Sequence, residues 1–118
     1  MKKLLHICMV LALACMLNAC SKDKDENTPV TPNTPTTTID ILTMSYSPSP
    51  KTVTKGTIIT WRNTDTGPHT ATANDGTFDT GTIAAGGSTT YTANTTGTFP
   101  YYCIIHGQMM TGTLIVNP

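Results

Sequence analysis

The chain predicts an all-β fold, a Greek-key sandwich of about seven or eight short strands. Three observations point there. From Ile39 onward the residues are mostly Thr, Gly, Val, Ile and aromatics. Turn-forming clusters interrupt them at short intervals, and no segment carries a helical period.

Taken in order, strands are expected at 39–46, 51–54, 57–63, 69–73, 81–83, 88–93, 98–103 and 112–117. The first ends at Ser47-Pro48-Ser49-Pro50, where proline removes backbone donors and fixes φ. Lys55-Gly56 turns the chain into the third, in which Ile59, Trp61 and Asn63 alternate with Ile58, Thr60 and Arg62 at the period of a strand. Asn74-Asp75-Gly76, Ala85-Gly86-Gly87 and Thr96-Gly97 supply the later breaks. The strands are expected to pair as an antiparallel sandwich, with Ile39, Ile41, Val53, Ile59, Trp61, Phe78, Ile83, Tyr91, Phe99, Tyr101, Leu114 and Val116 in its core. A core that small leaves little stability in reserve, and a bound metal would add to it by favouring the folded state.

The region before Ile39 does not belong to that domain. Lys2 and Lys3 precede an apolar run from Leu4 to Leu17, too short for a comfortable membrane span and placed where a secretory signal sits. The run closes in Leu17-Asn18-Ala19-Cys20-Ser21, which resembles the lipobox of bacterial lipoproteins, although Asn18 is unusual in its slot. Cys15 is a poorer candidate, because Ala12 stands in the aliphatic position. That resemblance implies a signal peptide over 1–19, a lipidated Cys20 and a domain anchored to the cell envelope, facing the periplasm or the exterior. Each buried acyl methylene contributes about 0.8 kcal/mol, so two or three chains hold firmly. Residues 21–38, SKDKDENTPVTPNTPTTT, have almost nothing apolar to bury and read as a solvated tether. The expected organisation is therefore signal peptide 1–19, lipidated cysteine and tether 20–38, and domain 39–118.

This division concentrates the chemistry. Cys8, Cys15 and His6 leave with the signal and Cys20 carries lipid, so the domain keeps one thiol, Cys103, and two imidazoles, His69 and His106. In an exported protein that thiol has no disulfide partner. The charged groups from Ile39 onward are Lys51, Lys55, Arg62, Asp40, Asp65, Asp75 and Asp79, a net of −1. No basic patch with interleaved aromatics supports nucleic-acid binding, and strong electrostatic steering of a partner is not expected.

The three ligand-type side chains fall into a pattern. Phe99, Tyr101 and Cys103 share one strand face, so the thiol is aimed inward at a strand end. A short loop then carries His106 and Met110 before the chain re-enters a strand at Gly112. Upstream, Gly67-Pro68-His69 places the other imidazole at the start of a strand. Two imidazole nitrogens, a thiolate and a weak axial thioether are what a copper electron-transfer site uses.

The run Gly97-x-Phe99-x-Tyr101-x-Cys103-x-x-His106-x-x-x-Met110-x-Gly112, with Pro68-His69 upstream, resembles the plastocyanin/azurin family of cupredoxins, small blue copper proteins. The resemblance extends over Ile39 to Pro118. It implies one copper ion per chain, bound by His69, Cys103, His106 and a methionine, with the Thr70 amide donating to the Cys103 sulfur. Met110-Thr111-Gly112 matches the family's Met-x-Gly and favours Met110, while amicyanin-like spacing would choose Met109. It further implies a monomeric electron carrier rather than an enzyme, meeting transient redox partners on an apolar patch of Gly67, Pro68, Ile105 and Gly107, with Met109 beside it. Ile104-Ile105 departs from the Thr-Pro often found between the cysteine and the histidine, and the stretch from His69 to Cys103 is shorter than in plastocyanins.

Other readings are weaker. Cys103 alone would read as a small buried hydrophobe, and Met109 or Met110 as core filler. A catalytic zinc site could use two His and one Cys, but no acidic group is expected beside the motif to act as general base; Glu26 lies in the tether. No serine sits in a nucleophile elbow. A copper module that stores or delivers the metal without carrying electrons is the alternative function.

Overall fold

The computed structural model describes residues 33–118, with a compact unit running Thr34–Pro118. The expected signal peptide, Cys20 and residues 21–32 of the tether lie outside the described residues. Eight strands form: β1 (Thr36–Leu42), β2 (Ser45–Ser47), β3 (Lys51–Thr54), β4 (Ile58–Asn63), β5 (Thr72–Ala73), β6 (Ser88–Thr92), β7 (Gly97–Cys103) and β8 (Gly107–Asn117). They make two four-stranded sheets, ordered β2-β1-β4-β6 and β3-β8-β7-β5. No helix is present among the described residues.

The sheets are not wholly antiparallel. β1 runs parallel to β4, and β3 runs parallel to β8. The chain leaves the first sheet after β2, passes through β3 in the second and returns as β4, and such a crossover lets β1 and β4 lie side by side pointing the same way.

Element boundaries moved where tertiary pairing overrides local composition. Thr36, Thr37 and Thr38, read as tether, pair with Ile58, Ile59 and Thr60. Their side chains stay at least partly in solvent, so composition carries no sign of the strand. The expected strand 39–46 breaks at Met44, whose φ of 58° reverses the chain between β1 and β2. Methionine is not a usual turn residue, and nothing in the local pattern announces it. The strand expected over 69–73 contracts to Thr72–Ala73. His69 and Ile83 meet only as an isolated antiparallel bridge, and 81–83 forms no strand.

The two inner faces close on one core. The expected core residues are all buried in it except Tyr91, which is half-buried and packed against it. Tyr46, Ala71, Ala73, Ala93, Cys103 and Met110 join them. Trp61 lies at the centre, its ring 5.2 Å from Phe78 and 5.9 Å from Tyr101. At one end of the sandwich β7 and β8 diverge: Tyr102 faces Thr111, but Cys103 faces Gly107. The register shift arches residues 108–110 out of the ladder, and the ligand-type side chains gather at this end.

Candidate metal centre

Three segments build the site. Cys103 is the last residue of β7, completing the inward face begun by Phe99 and Tyr101, and is fully buried. The turn Ile104-Ile105-His106 follows, closed by the His106 amide donating to the Cys103 carbonyl at 3.2 Å. Gly107, at φ 62°, takes the left-handed conformation that sends the chain straight into β8. The connecting segment is therefore a three-residue turn, not the longer loop expected up to Gly112.

The two methionines differ sharply in burial. Because β8 starts at Gly107, its alternation runs back through Val116, Leu114 and Gly112 to Met110, which is fully buried on the core side. Met109 takes the opposite phase and is 81% exposed. Period two, extended backward from Leu114 and Val116, was the sequence signal that separates the pair.

His69 enters from the other side, anchored by paired backbone bonds with Ile83 of 3.1 and 2.7 Å. Its Nδ1 lies 3.9 Å from the Cys103 Sγ, and the His106 Nδ1 lies 3.4 Å from the same sulfur. The ligand atoms of His69, Cys103 and His106 all fall within 4.8 Å of one another. A first-row metal with donor bonds of about 2.0 to 2.3 Å in a roughly trigonal array separates its donors by about 3.5 Å. The two nitrogen–sulfur distances of 3.9 and 3.4 Å lie close to that value, so this donor set fits a single small metal ion. Two imidazoles and a thiolate with a buried thioether nearby are arranged as a copper site.

Thr70 ties the sulfur to its surroundings. Its amide donates to the Cys103 Sγ at 3.3 Å, its hydroxyl accepts from the Ile104 amide at 2.9 Å, and its carbonyl accepts from the buried Tyr46 hydroxyl. Burial pushes the Cys103 thiol up, but the Thr70 amide and the His106 and His69 rings outweigh it and bring the thiol down from 9.0 to about 6. A thiolate, the form a metal requires, is thus prepared near neutral pH. The folded value lies below the unfolded one, so the stability this group contributes is full above about 9 and is lost as pH falls through about 6. Urea unfolding of the metal-free domain is expected to show that loss between pH 9 and 6, and Cys103→Ser is expected to lack it.

One participant escaped the sequence reading. No acidic group is expected beside the motif, yet the Asp65 Oδ2 meets the His69 Nε2 at 2.8 Å. The His69 bond and the Thr66 amide hold the Asp65 carboxyl below the usual carboxylate range. The Asp65-x-x-x-His69 spacing was the available signal. Because this carboxylate sits behind the ring and is already engaged, it does not supply the free general base that a catalytic zinc site would need.

Around the site the surface is apolar. Ile104, Ile105 and Met109 are exposed, as is Pro68, while Gly67, Gly107 and the His106 ring are half-buried. Ile104 adds to the patch expected from Gly67, Pro68, Ile105 and Gly107.

A two-sheet β-sandwich carrying a His–Cys–His–Met cluster at one end defines the class of small copper-site domains. The chain belongs to the cupredoxin-like domain family, whose profile matches residues 7–116. Among solved structures it is similar to amicyanin variants. One is a reduced tryptophan-to-tyrosine variant, with a TM-score of 0.64 and 23% identity over 70% of this chain and 82% of that one. Another is the Cu(I) form of a methionine-to-alanine variant, with a TM-score of 0.62 and 25% identity over 68% and 80%. No curated protein matches the chain.

Proposed function

We propose that this protein carries single electrons between redox partners at the cell envelope, using one copper ion that His69, Cys103, His106 and Met110 would hold. The observation that carries the reading is the convergence of the domain's only thiol and both its imidazoles within 4.8 Å, over a buried methionine. Bound copper supplies a one-electron couple.

The chain's own residues account for the rest. His69 and Cys103, fully buried, exclude water from their side of the site. The Thr70 amide draws charge from the sulfur and so raises the potential relative to an unbonded thiolate. The two sheets hold the donors on a rigid frame, so little rearrangement would accompany a change of charge. His106 is the donor whose ring reaches the surface, and the uncharged rim of Ile104, Ile105, Pro68 and Met109 around it suits brief, small-area docking. Lipid on Cys20 would keep the monomeric domain near membrane partners and raise their effective concentration. Amicyanin, solved in reduced and oxidised states, supports the redox reading.

Adding Cu(II) to the purified domain tests this. One equivalent is expected to bind, produce intense visible absorption and raise the unfolding temperature. A colourless protein that binds no copper would overturn the proposal. Met110→Leu is expected to keep the colour but move the reduction potential upward, because the site loses a donor and becomes more apolar around the more highly charged ion. Met109→Leu, on an exposed side chain, is expected to leave both unchanged.

A further inference from the structure

His69 is buried and its two ring nitrogens have different tasks. Nδ1 turns toward the Cys103 sulfur, and Nε2 is 2.8 Å from the Asp65 Oδ2. A carboxylate can only accept, so the hydrogen in this contact sits on Nε2. A neutral imidazole has a single N–H, which leaves Nδ1 with its lone pair facing the donor cluster.

The carboxylate is itself built into place. Its Oδ1 accepts from the Thr66 amide at 2.7 Å and from the Thr43 hydroxyl at 3.4 Å, which leaves Oδ2 for the histidine. The Asp65 amide donates to the Asn63 Oδ1 at 3.0 Å. Asn63 is buried, and its Nδ2 donates to the carbonyls of Gly67 at 2.7 Å and Ile83 at 3.0 Å. One asparagine therefore pins both ends of the loop from Asp65 to Gly67 and also the residue that bridges His69. Both oxygens of the Asp65 carboxylate are thus held by hydrogen bonds.

We infer that Asp65 is a positioning residue for the copper site: it holds His69 with Nδ1 bare toward the metal and, through its negative charge, favours the oxidised ion over the reduced one. The inference rests on the copper reading given above. A negative charge one ring away makes the imidazole a stronger donor, and the ion of higher charge gains more from that. Among the described residues Asp65 forms no salt bridge with a lysine or arginine, and Arg62 pairs with Asp40 instead.

Two measurements test this with different readouts. Nitrogen-15 NMR of the metal-free wild-type domain, above the pH at which its histidines are protonated, is expected to show His69 with its hydrogen on Nε2. Finding the hydrogen on Nδ1 would overturn the positioning role, whether or not copper binds. In the copper-loaded protein, Asp65→Asn keeps an acceptor oxygen and removes the charge. It is expected to retain the visible band, weaken Cu(II) binding by about 10- to 100-fold, weaken Cu(I) binding less, and so move the reduction potential upward. Asp65→Glu, which restores the charge, is expected to return the potential toward the wild-type value. An unchanged potential in Asp65→Asn, with the visible band intact, would overturn the inference and leave the copper reading standing. Absence of the band in the wild-type protein would defeat that reading instead. Thermal unfolding of the metal-free variants identifies any that lose the fold, and the wild-type NMR measurement depends on none of them.

Discussion

Cys103→Ser is expected to abolish the intense visible absorption and the reversible redox couple together, while leaving a folded domain. The colour of such a site comes from charge transfer between a soft thiolate and Cu(II), and a serine hydroxyl is neither soft nor ionised near neutral pH. Nothing else in the domain can replace the sulfur, since Cys103 is its only thiol. Serine is close to cysteine in shape, and its oxygen can accept the Thr70 amide that now donates to sulfur at 3.3 Å. The His69–Ile83 bridge and the β7–β8 ladder do not depend on the thiol. Circular dichroism of the metal-free variant should therefore stay near wild type, as should its urea midpoint below about pH 6, where the thiol is protonated, while visible absorption after copper addition falls to background. A folded variant that kept the band would show that sulfur is not its source.

The largest effect on stability is expected from Gly112→Ala. Gly112 faces Tyr101 across the β7–β8 ladder, and the Tyr101 ring lies over it. A Cβ at that position would stand 2.5 Å from the Tyr101 hydroxyl oxygen and 2.8 Å from Cε2, distances that atoms do not tolerate. The ring has no free direction to yield, because it packs 4.7 Å from Tyr46 and 5.9 Å from Trp61. Overpacking of this kind costs about 1 to 3 kcal/mol, and occasionally more. For a small domain that is a large share of the total. The disturbance would also reach the metal, since Tyr46 holds the Thr70 carbonyl and Met110 stands two residues before Gly112 on the same face. A lower urea midpoint together with weaker copper binding is expected. Thr111→Ala, on the exposed face, is the control and should change neither.

Much of this arrangement was legible in the sequence because strand alternation is local. Phe99, Tyr101 and Cys103 declared one inward face, and Ile59, Trp61 and Asn63 another. The metal cluster was legible because one thiol and two imidazoles leave few combinations. What stayed hidden depends on partners distant in the chain. The strand at Thr36–Thr38 exists through its pairing with β4 rather than through buried side chains. The parallel pairings follow from how the chain crosses between sheets, which no local pattern records. The early start of β8 follows from Gly107 pairing with Cys103, and along it Met110 is buried while Met109 is exposed. Asp65 looked like one more polar loop residue until the loop folded it behind His69. The glycine of the Met-x-Gly run gained its reason only when Tyr101 was found lying across it.

A redox titration of the copper-loaded domain tests the central claim most directly. The account predicts that the visible band bleaches and returns over repeated cycles, that the transition fits a single electron per copper, and that the metal stays bound in both states. Copper that binds at one equivalent but is lost on reduction, or that shows no reversible one-electron transition, would contradict electron transfer and favour a protein that stores or delivers the metal.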